Sequence, residues 1–187
     1  MSEQERREAQ IREWMAKQGL DALLLRRASS FAWATCGASS YINTATDYGE
    51  GMLLYTPDAR YVVANNIEAP RLREEEGLGG HGWEFLTHDW FGQSDTVARL
   101  THGARLGADG PFPGAEDVSS DVSRLRSLLS PEEGERFRAL GRLCAEAMSA
   151  AIQQVRPGQT EYEIAGLLAR ETASRGAWPI VDLVATD

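Results

Sequence analysis

The sequence has few cysteines, no long apolar run and no excess of positive charge. Its two cysteines, Cys36 and Cys144, are far apart and lack metal-type spacing, which favours a reduced, cytoplasmic protein over a disulfide-bonded secreted one. The polar N-terminus does not have the pattern of a signal peptide, and no apolar run is long enough to span a bilayer. The 19 basic residues are interleaved with 28 acidic ones, giving a net charge of −9. We therefore expect neither a nucleic-acid nor a membrane partner.

What remains is typical of a soluble globular chain. The 187 residues are 42% apolar and 25% charged, which is enough to bury a core and fits one domain plus part of another.

Strand and helix patterns alternate along the first 130 residues. Ser2 and Glu5 form a capping-box pattern that predicts a helix to about residue 18, and Thr56-Pro57-Asp58 separates two apolar runs typical of a hairpin. The sequence predicts strands at 21–25, 51–55, 59–64, 83–87 and 105–108, and helices at 30–37, 68–76, 95–102 and 116–129. Such alternation predicts an α/β domain, and the hairpin makes its sheet mixed.

A second region begins after residue 130. Ser130, Pro131 and Glu133 combine an N-cap, a first-turn proline and a capping box, so we place the domain boundary between 1–130 and 131–187. The pattern predicts helices at 131–155 and 161–174 and a strand at 181–185. Two helices and one strand are too little for an independent core.

Several residues invite a chemical interpretation, but none has the partners that the chemistry needs. His88-Asp89 lacks a second histidine at ligand spacing, and we expect His81, His88 and His102 to be surface residues. Glu74-Glu75-Glu76 is typical of a solvated helix end. Cys36 lacks a histidine motif that would activate it and is predicted to be a small buried residue.

The aromatic residues suggest packing first and binding second. Trp83, Trp90 and Phe91 lie near the glycine-rich segment 77–82 and are expected in the core, with a rim for a substrate or partner subunit as the alternative. Trp33 is likewise expected in the core.

Three segments resemble the creatinase, prolidase and Xaa-Pro aminopeptidase family. The joint Val155-Arg156-Pro157-Gly158-Gln159-Thr160-Glu161-Tyr162-Glu163-Ile164 resembles the entry to that family's catalytic domain. Phe31-Ala32-Trp33-Ala34-Thr35-Cys36-Gly37 and Asn66-Ile67-Glu68-Ala69-Pro70-Arg71-Leu72 resemble two segments of its N-terminal domain. The sequence departs from the family pattern at Ser30, Ala34 and Cys36, so no role is transferred to those positions.

The resemblance implies a fold and a function. It implies a creatinase-like N-terminal domain with a mixed sheet, followed by the first two helices and a strand of an incomplete pita-bread catalytic domain. The complete enzyme would be a metallopeptidase that cleaves peptides near proline with two divalent ions, Mn, Co or Zn, held by two Asp, one His and two Glu. The matching positions would lie beyond Asp187, so neither Asp182 nor Asp187 is assigned to metal.

We therefore expect no catalytic, cofactor-binding or metal-binding residue within this chain. The resemblance implies that the chain is inactive alone and serves in homodimer formation and in walling the active site of the neighbouring subunit. Two alternatives stay open. One is a fragment of a creatinase-like amidinohydrolase, and the other is a non-catalytic binding module of the same fold.

Overall fold

The computed structural model describes residues 1–92 and 95–185, which form two compact units, Met1–Leu128 and Leu129–Asp187. The predicted mixed α/β architecture is confirmed in the first unit. Its elements in chain order are α1 (Glu3–Gln18), β1 (Ala22–Arg27), α2 (Ala28–Ala34), β2 (Tyr48–Tyr55), β3 (Arg60–Asn65), α3 (Glu68–Glu74), β4 (Glu84–His88), α4 (Thr96–Leu100), β5 (Leu106–Ala108), β6 (Glu116–Asp117) and α5 (Ser119–Leu125).

The six strands form one sheet in the order β4-β3-β2-β1-β5-β6. The predicted hairpin is confirmed, because β2 runs antiparallel to β3 with Leu53 opposite Val62. β2 is also antiparallel to β1, whereas the β3–β4, β1–β5 and β5–β6 pairs are parallel. Five strands therefore point one way and β2 alone points the other.

The central strand β1 is buried on both faces of the sheet. Leu23 and Leu25 belong to the larger apolar cluster, which includes Ile11 of α1 and Phe31 of α2. Leu24 points into the smaller cluster on the opposite face. This explains why the strand reads as a continuous leucine run, since only a strand covered on both sides excludes polar residues from alternate positions.

The first helix begins and ends as its sequence predicts. The hydroxyl of Ser2 accepts a hydrogen bond from the Glu5 amide at 3.2 Å, and the Glu5 carboxylate accepts one from the Ser2 amide at 2.6 Å. Gly19 ends the helix at φ 67°, a left-handed conformation that glycine adopts without steric cost.

The predicted helix at 116–129 is wrong at its start. Glu116 and Asp117 form strand β6 beside β5, and helix α5 begins only at Ser119. The Asp117 carboxylate accepts a hydrogen bond from the Ser119 amide at 2.9 Å, which favours a turn before the helix.

The second unit consists of α6 (Pro131–Ile152) and α7 (Glu161–Ala173), as predicted. Both helices begin with complete capping boxes, at Ser130 and at Thr160, and Gly158 takes φ 88° in the joint between them. The Glu171 carboxylate of α7 accepts a hydrogen bond from Gln154 at 2.8 Å and from Arg175 at 2.7 Å.

The predicted strand at 181–185 is wrong. Val181 and Leu183 are 69% and 90% exposed, and the structure assigns residues 181–185 to no strand. A strand requires a hydrogen-bonded neighbour, and the described part of this unit provides helices alone. Within residues 1–92 and 95–185, no helix has the length and apolarity needed to cross a bilayer.

Candidate functional site

The sheet topology directs the ends of five strands to one edge, which we call the carboxyl edge. β1 and β5 are adjacent in the sheet, but the strands that follow them lie in opposite directions: β2 is on the far side of β1, and β6 is on the far side of β5. The gap between the ends of β1 and β5 is therefore a topological switch point. Open α/β sheets bind ligands preferentially in this kind of crevice.

Charged side chains converge at the switch point. Arg26 and Arg27 are the last residues of β1, and Asp109 directly follows β5. The Asp109 carboxylate accepts hydrogen bonds from the backbone amides of Arg26 and Arg27, at 2.5 and 3.3 Å. The Arg27 guanidinium donates to the Asp109 carbonyl at 3.0 Å and pairs with the Asp47 carboxylate at 2.7 Å. We call Arg26, Arg27 and Asp109 the arginine cluster.

Two aromatic rings restrain the side chain of Arg26. The Arg26 guanidinium lies 5.0 Å from the ring centre of Tyr48 and 5.7 Å from that of Phe112, and it donates a hydrogen bond to the carbonyl of Pro111. Gly110 allows Tyr48 to approach, because a β-carbon at position 110 would lie 2.7 Å from the tyrosine ring. These contacts restrain the Arg26 guanidinium at one side of the arginine cluster.

Asp109 is a buried acid, only 1% exposed. Burial raises the pKa of its carboxyl group above the ordinary value, while Ser30, the two backbone amides and the Arg27 charge oppose that rise. The Ser30 hydroxyl is close enough to contribute, although its geometry falls short of a full hydrogen bond.

A pair of exposed aromatic residues lies further along the same edge, after β4. Trp90 and Phe91 are 63% and 74% exposed, and their rings meet edge to face with centres 5.8 Å apart. The Trp90 amide donates to Asn66 at 3.0 Å, which ties this segment to the end of β3. Ile67, 60% exposed, follows Asn66. We call Ile67, Trp90 and Phe91 the apolar rim.

The predicted aromatic group is therefore divided. Trp83 is in the core as expected, 6% exposed and edge-on to Tyr55 with ring centres 5.5 Å apart. The core prediction is wrong for Trp90 and Phe91, whose exposure fits the alternative of a rim. Trp33 is in the core at 7% exposed, with the Arg7 guanidinium 4.3 Å from its ring.

The structure does not gather the histidines and acids into a metal site. Within the described residues, no group of three or more His, Cys, Asp or Glu side chains is arranged to hold a metal ion. The Nδ1 atom of His88 lies 3.1 Å from the carbonyl oxygen of Asp89. Asp182 joins no such group, and Asp187 lies outside the described residues. The resemblance implies that the ligands of its dimetal centre follow Asp187, so none of these side chains is assigned to that centre.

The remaining candidates need two corrections. Glu74 and Glu75 are exposed as expected, but the Glu76 carboxylate is half-buried and accepts hydrogen bonds from Arg71 at 3.0 Å and from the Ser39 amide at 2.8 Å. Cys36 is half-buried rather than fully buried and takes part in no disulfide. With His81 it lines an open cleft of about 550 Å³.

Sequence reasoning missed the arginine cluster. Its members come from the end of β1 and from the residue after β5, about 80 positions apart, so no local motif contains them. One signal was present in the sequence, namely a pair of arginines directly after a leucine run that predicts a buried strand.

Comparison with known proteins identifies the fold. No family model matches the sequence, and no curated protein matches it. Among solved structures, the prolidase from Pyrococcus horikoshii OT3 superposes with a TM-score of 0.68 at 19% identity, covering 91% of this chain and 49% of that one. The Xaa-Pro dipeptidase from Bacillus anthracis gives 0.67 at 18% identity, covering 92% and 50%.

A third solved structure, the X-Pro aminopeptidase from Thermotoga maritima MSB8, gives a TM-score of 0.62 at 16% identity, covering 94% of this chain and 50% of that one. The chain has the fold of the N-terminal portion of these prolidase-like enzymes. It spans about half the length of the structures it matches. The expected creatinase-like N-terminal fold is confirmed, and the prolidase-like carboxyl edge carries both the arginine cluster and the apolar rim.

Proposed function

We propose that this chain is the N-terminal portion of a metal-dependent Xaa-Pro aminopeptidase or dipeptidase that hydrolyses peptide bonds near proline. The observation that carries the proposal is the superposition on such enzymes over at least nine-tenths of the chain and about half of theirs. Residues 1–130 form the N-terminal domain in this proposal, and residues 131–187 open the catalytic domain. A cytoplasmic location stays a prediction.

In this proposal the chain has a supporting role and does not cleave peptides itself. Hydrolysis in such an enzyme needs ligands for divalent ions, and the described residues provide no group that could hold one. No catalytic step is therefore assigned to residues of this chain.

A direct assay tests the inactivity of the chain. The purified chain is incubated with an Xaa-Pro dipeptide in the presence of Mn²⁺ or Co²⁺, and proline release is followed, with a complete prolidase as the positive control. We expect no release above the buffer blank. Clear turnover that chelation abolishes would contradict the proposal.

We also propose that the supporting role includes homodimer formation through the apolar rim. Trp90 and Phe91 are large, exposed and adjacent, and aromatic residues of this kind dominate the binding energy of protein interfaces. Because they lie at the carboxyl edge, a second copy bound there would sit beside the strand ends. In that position this domain could form part of the peptide-binding site of the neighbouring subunit.

Light scattering after size exclusion measures the oligomeric state. We expect a mass near twice 20.5 kDa for the wild-type chain and a monomer for the double variant Trp90→Ser with Phe91→Ser. Leu128→Ser is the matched control, because Leu128 is 82% exposed but lies outside the apolar rim. A monomeric wild type, or a double variant that stays dimeric, would refute this role while leaving the peptidase relationship untouched.

A further inference from the structure

The sheet ends in β6 on one side and in β4 on the other. β6 has two residues, whereas β4 has five, none of which is proline. The outer backbone groups of an edge strand have no partner within the sheet, so another strand can pair with them unless the edge is very short or blocked by proline. Of the two edges, β4 is therefore the one suited to bind a further strand.

The outward backbone groups of β4 belong to Phe85 and Thr87. The carbonyl of His88 accepts a hydrogen bond from the Asn66 amide at 2.8 Å, so the backbone polar groups of His88 point toward β3. Consecutive residues of a strand direct these groups to alternate sides, which turns those of Phe85 and Thr87 away from β3. Within residues 1–92 and 95–185, no turn, loop or side chain hydrogen-bonds to the backbone of either residue.

The sequence of β4 is complementary to itself in the antiparallel direction. When two copies of Glu84–His88 pair about Leu86, Phe85 of one copy lies opposite Thr87 of the other, and their outward N–H and C=O groups bond to each other. Each Glu84 carboxylate then lies opposite a His88 imidazole, which as a cation forms an ion pair with it. A register centred on Phe85 or on Thr87 instead places Glu84 or His88 opposite Leu86 and loses both ion pairs.

The side chains of β4 also leave apolar surface for a second copy to cover. Leu86 is half-buried against the smaller apolar cluster, and Phe85 is half-buried against the larger one on the other face. In the register centred on Leu86, this leucine meets Leu86 of the second copy, and cross-strand contacts of this kind stabilise a sheet.

The apolar rim continues the same edge. Trp90 follows β4 after a single residue, and the rings of Trp90 and Phe91 are 63% and 74% exposed. In the antiparallel arrangement the end of one β4 lies beside the start of the other. The rim then faces residues 79–82 of the second copy, which are glycine at every position except His81 and so leave room for large rings. The rim adds apolar area that a strand of five residues lacks, since a stable interface buries roughly 800 Å² per partner.

We infer that the outer edge of β4 binds β4 of a second copy, antiparallel and centred on Leu86, so that the six-stranded sheets of the two copies form one continuous sheet. This inference rests on the homodimer proposed above and gives that homodimer its backbone pairing and its register.

Amide hydrogen exchange, followed by NMR at concentrations below and above the dimer dissociation constant, tests the pairing on the wild-type chain. We expect exchange at Phe85 and Thr87 to slow about tenfold or more in the dimer, because both amides gain a partner. The Leu86 amide points toward β3 and should be protected at both concentrations. Fast exchange at Phe85 and Thr87 in a dimeric sample would overturn the inference and leave a dimer held by the apolar rim alone. A monomeric wild type would overturn the inference together with the homodimer.

Charge exchange tests the register. Glu84→Lys and His88→Glu should each raise the dimer dissociation constant about tenfold, because each variant places like charges opposite one another in two symmetric pairs. The double variant restores opposite charges, so its dissociation constant should return to within about threefold of the wild-type value. Glu74→Lys is the matched control, since Glu74 is exposed and lies outside β4. Sedimentation equilibrium measures all four variants. A double variant as weak as the single ones, or an equal loss in Glu74→Lys, would refute the register.

Discussion

The hydroxyl group of Tyr55 should destabilise the folded chain. Tyr55 lies in β2 at 0% exposed, packed edge-on against Trp83, and its hydroxyl oxygen has no hydrogen-bond partner. In the unfolded chain that hydroxyl is hydrated. Burying a polar group without a partner costs roughly 1–3 kcal/mol, while the ring itself contributes favourable apolar burial. Tyr55→Phe should retain the ring and remove the cost.

We expect Tyr55→Phe to raise the free energy of unfolding by about 1 kcal/mol, the low end of that range, because the lost oxygen leaves a small void. For a unit of this size such a gain corresponds to a Tm increase of about 4 °C. Urea unfolding and thermal melts measure it. Tyr41→Phe is the control, since Tyr41 is 38% exposed and its hydroxyl group can reach water.

An independent optical test uses the ionisation of the phenol. Burial raises the pKa of Tyr55 far above its ordinary value, so Tyr55 should contribute no phenolate absorbance to the native chain in alkali. The wild type and Tyr55→Phe should then differ in phenolate absorbance only when unfolded. A loss of 1 kcal/mol or more in Tyr55→Phe, or a native phenolate signal from Tyr55, would show that the hydroxyl has a partner and refute the reasoning.

Three further predictions concern the core, a helix start and the buried acid. Leu24→Ala should lower the free energy of unfolding by about 2–5 kcal/mol in urea titrations, because Leu24 is 0% exposed in the central strand. Ser130→Ala should cost about 1 kcal/mol by removing the cap of α6, whereas Ser149→Ala at an exposed position in the last turn of that helix should slightly stabilise it in thermal melts. The pKa of Asp109 is higher in the folded chain than in the unfolded chain, so protonation of Asp109 stabilises the fold. This stabilisation is lost as the pH rises through the pKa that Asp109 has in the folded chain. Asp109→Asn should therefore differ little from wild type in urea titrations below pH 3.8, the ordinary value, and gain relative stability above it; a difference independent of pH would contradict this.

The parts of the fold that depend on local patterns were predictable from the sequence. The capping boxes at Ser2, Ser130 and Thr160 fixed three helix starts, and the turn at 56–58 fixed the hairpin. The error at Glu116 arose because the helical stripe of Val118 and Val122 was extended backwards into residues that pair with β5. Periodicity alone does not show where a short edge strand ends and a helix begins.

The candidate site depends on topology and therefore escaped local reasoning. Arg27 and Asp109 are neighbours because β1 and β5 pair. The apolar rim was foreseen only as the alternative to core packing, for a different reason. Trp83 and Trp90 have the same side chain and stand close in sequence, yet one is buried and the other exposed. The residue type shows that an aromatic ring favours burial, but it does not show whether the fold buries that ring or leaves it in solvent.

The single antiparallel strand also has a consequence for how the sheet assembles. β2 contacts β3 through a short turn, so that half of the sheet forms from local contacts. The pairing of β1 with β5 joins residues about 80 positions apart, and closing such a long loop costs more chain entropy than closing the hairpin. The boundary between early and late contacts then falls between β1 and β5. The arginine cluster lies at this boundary, so it should be complete only after β1 has paired with β5. In pulsed hydrogen exchange during refolding, the amides of β2 and β3 should therefore become protected before those of β5.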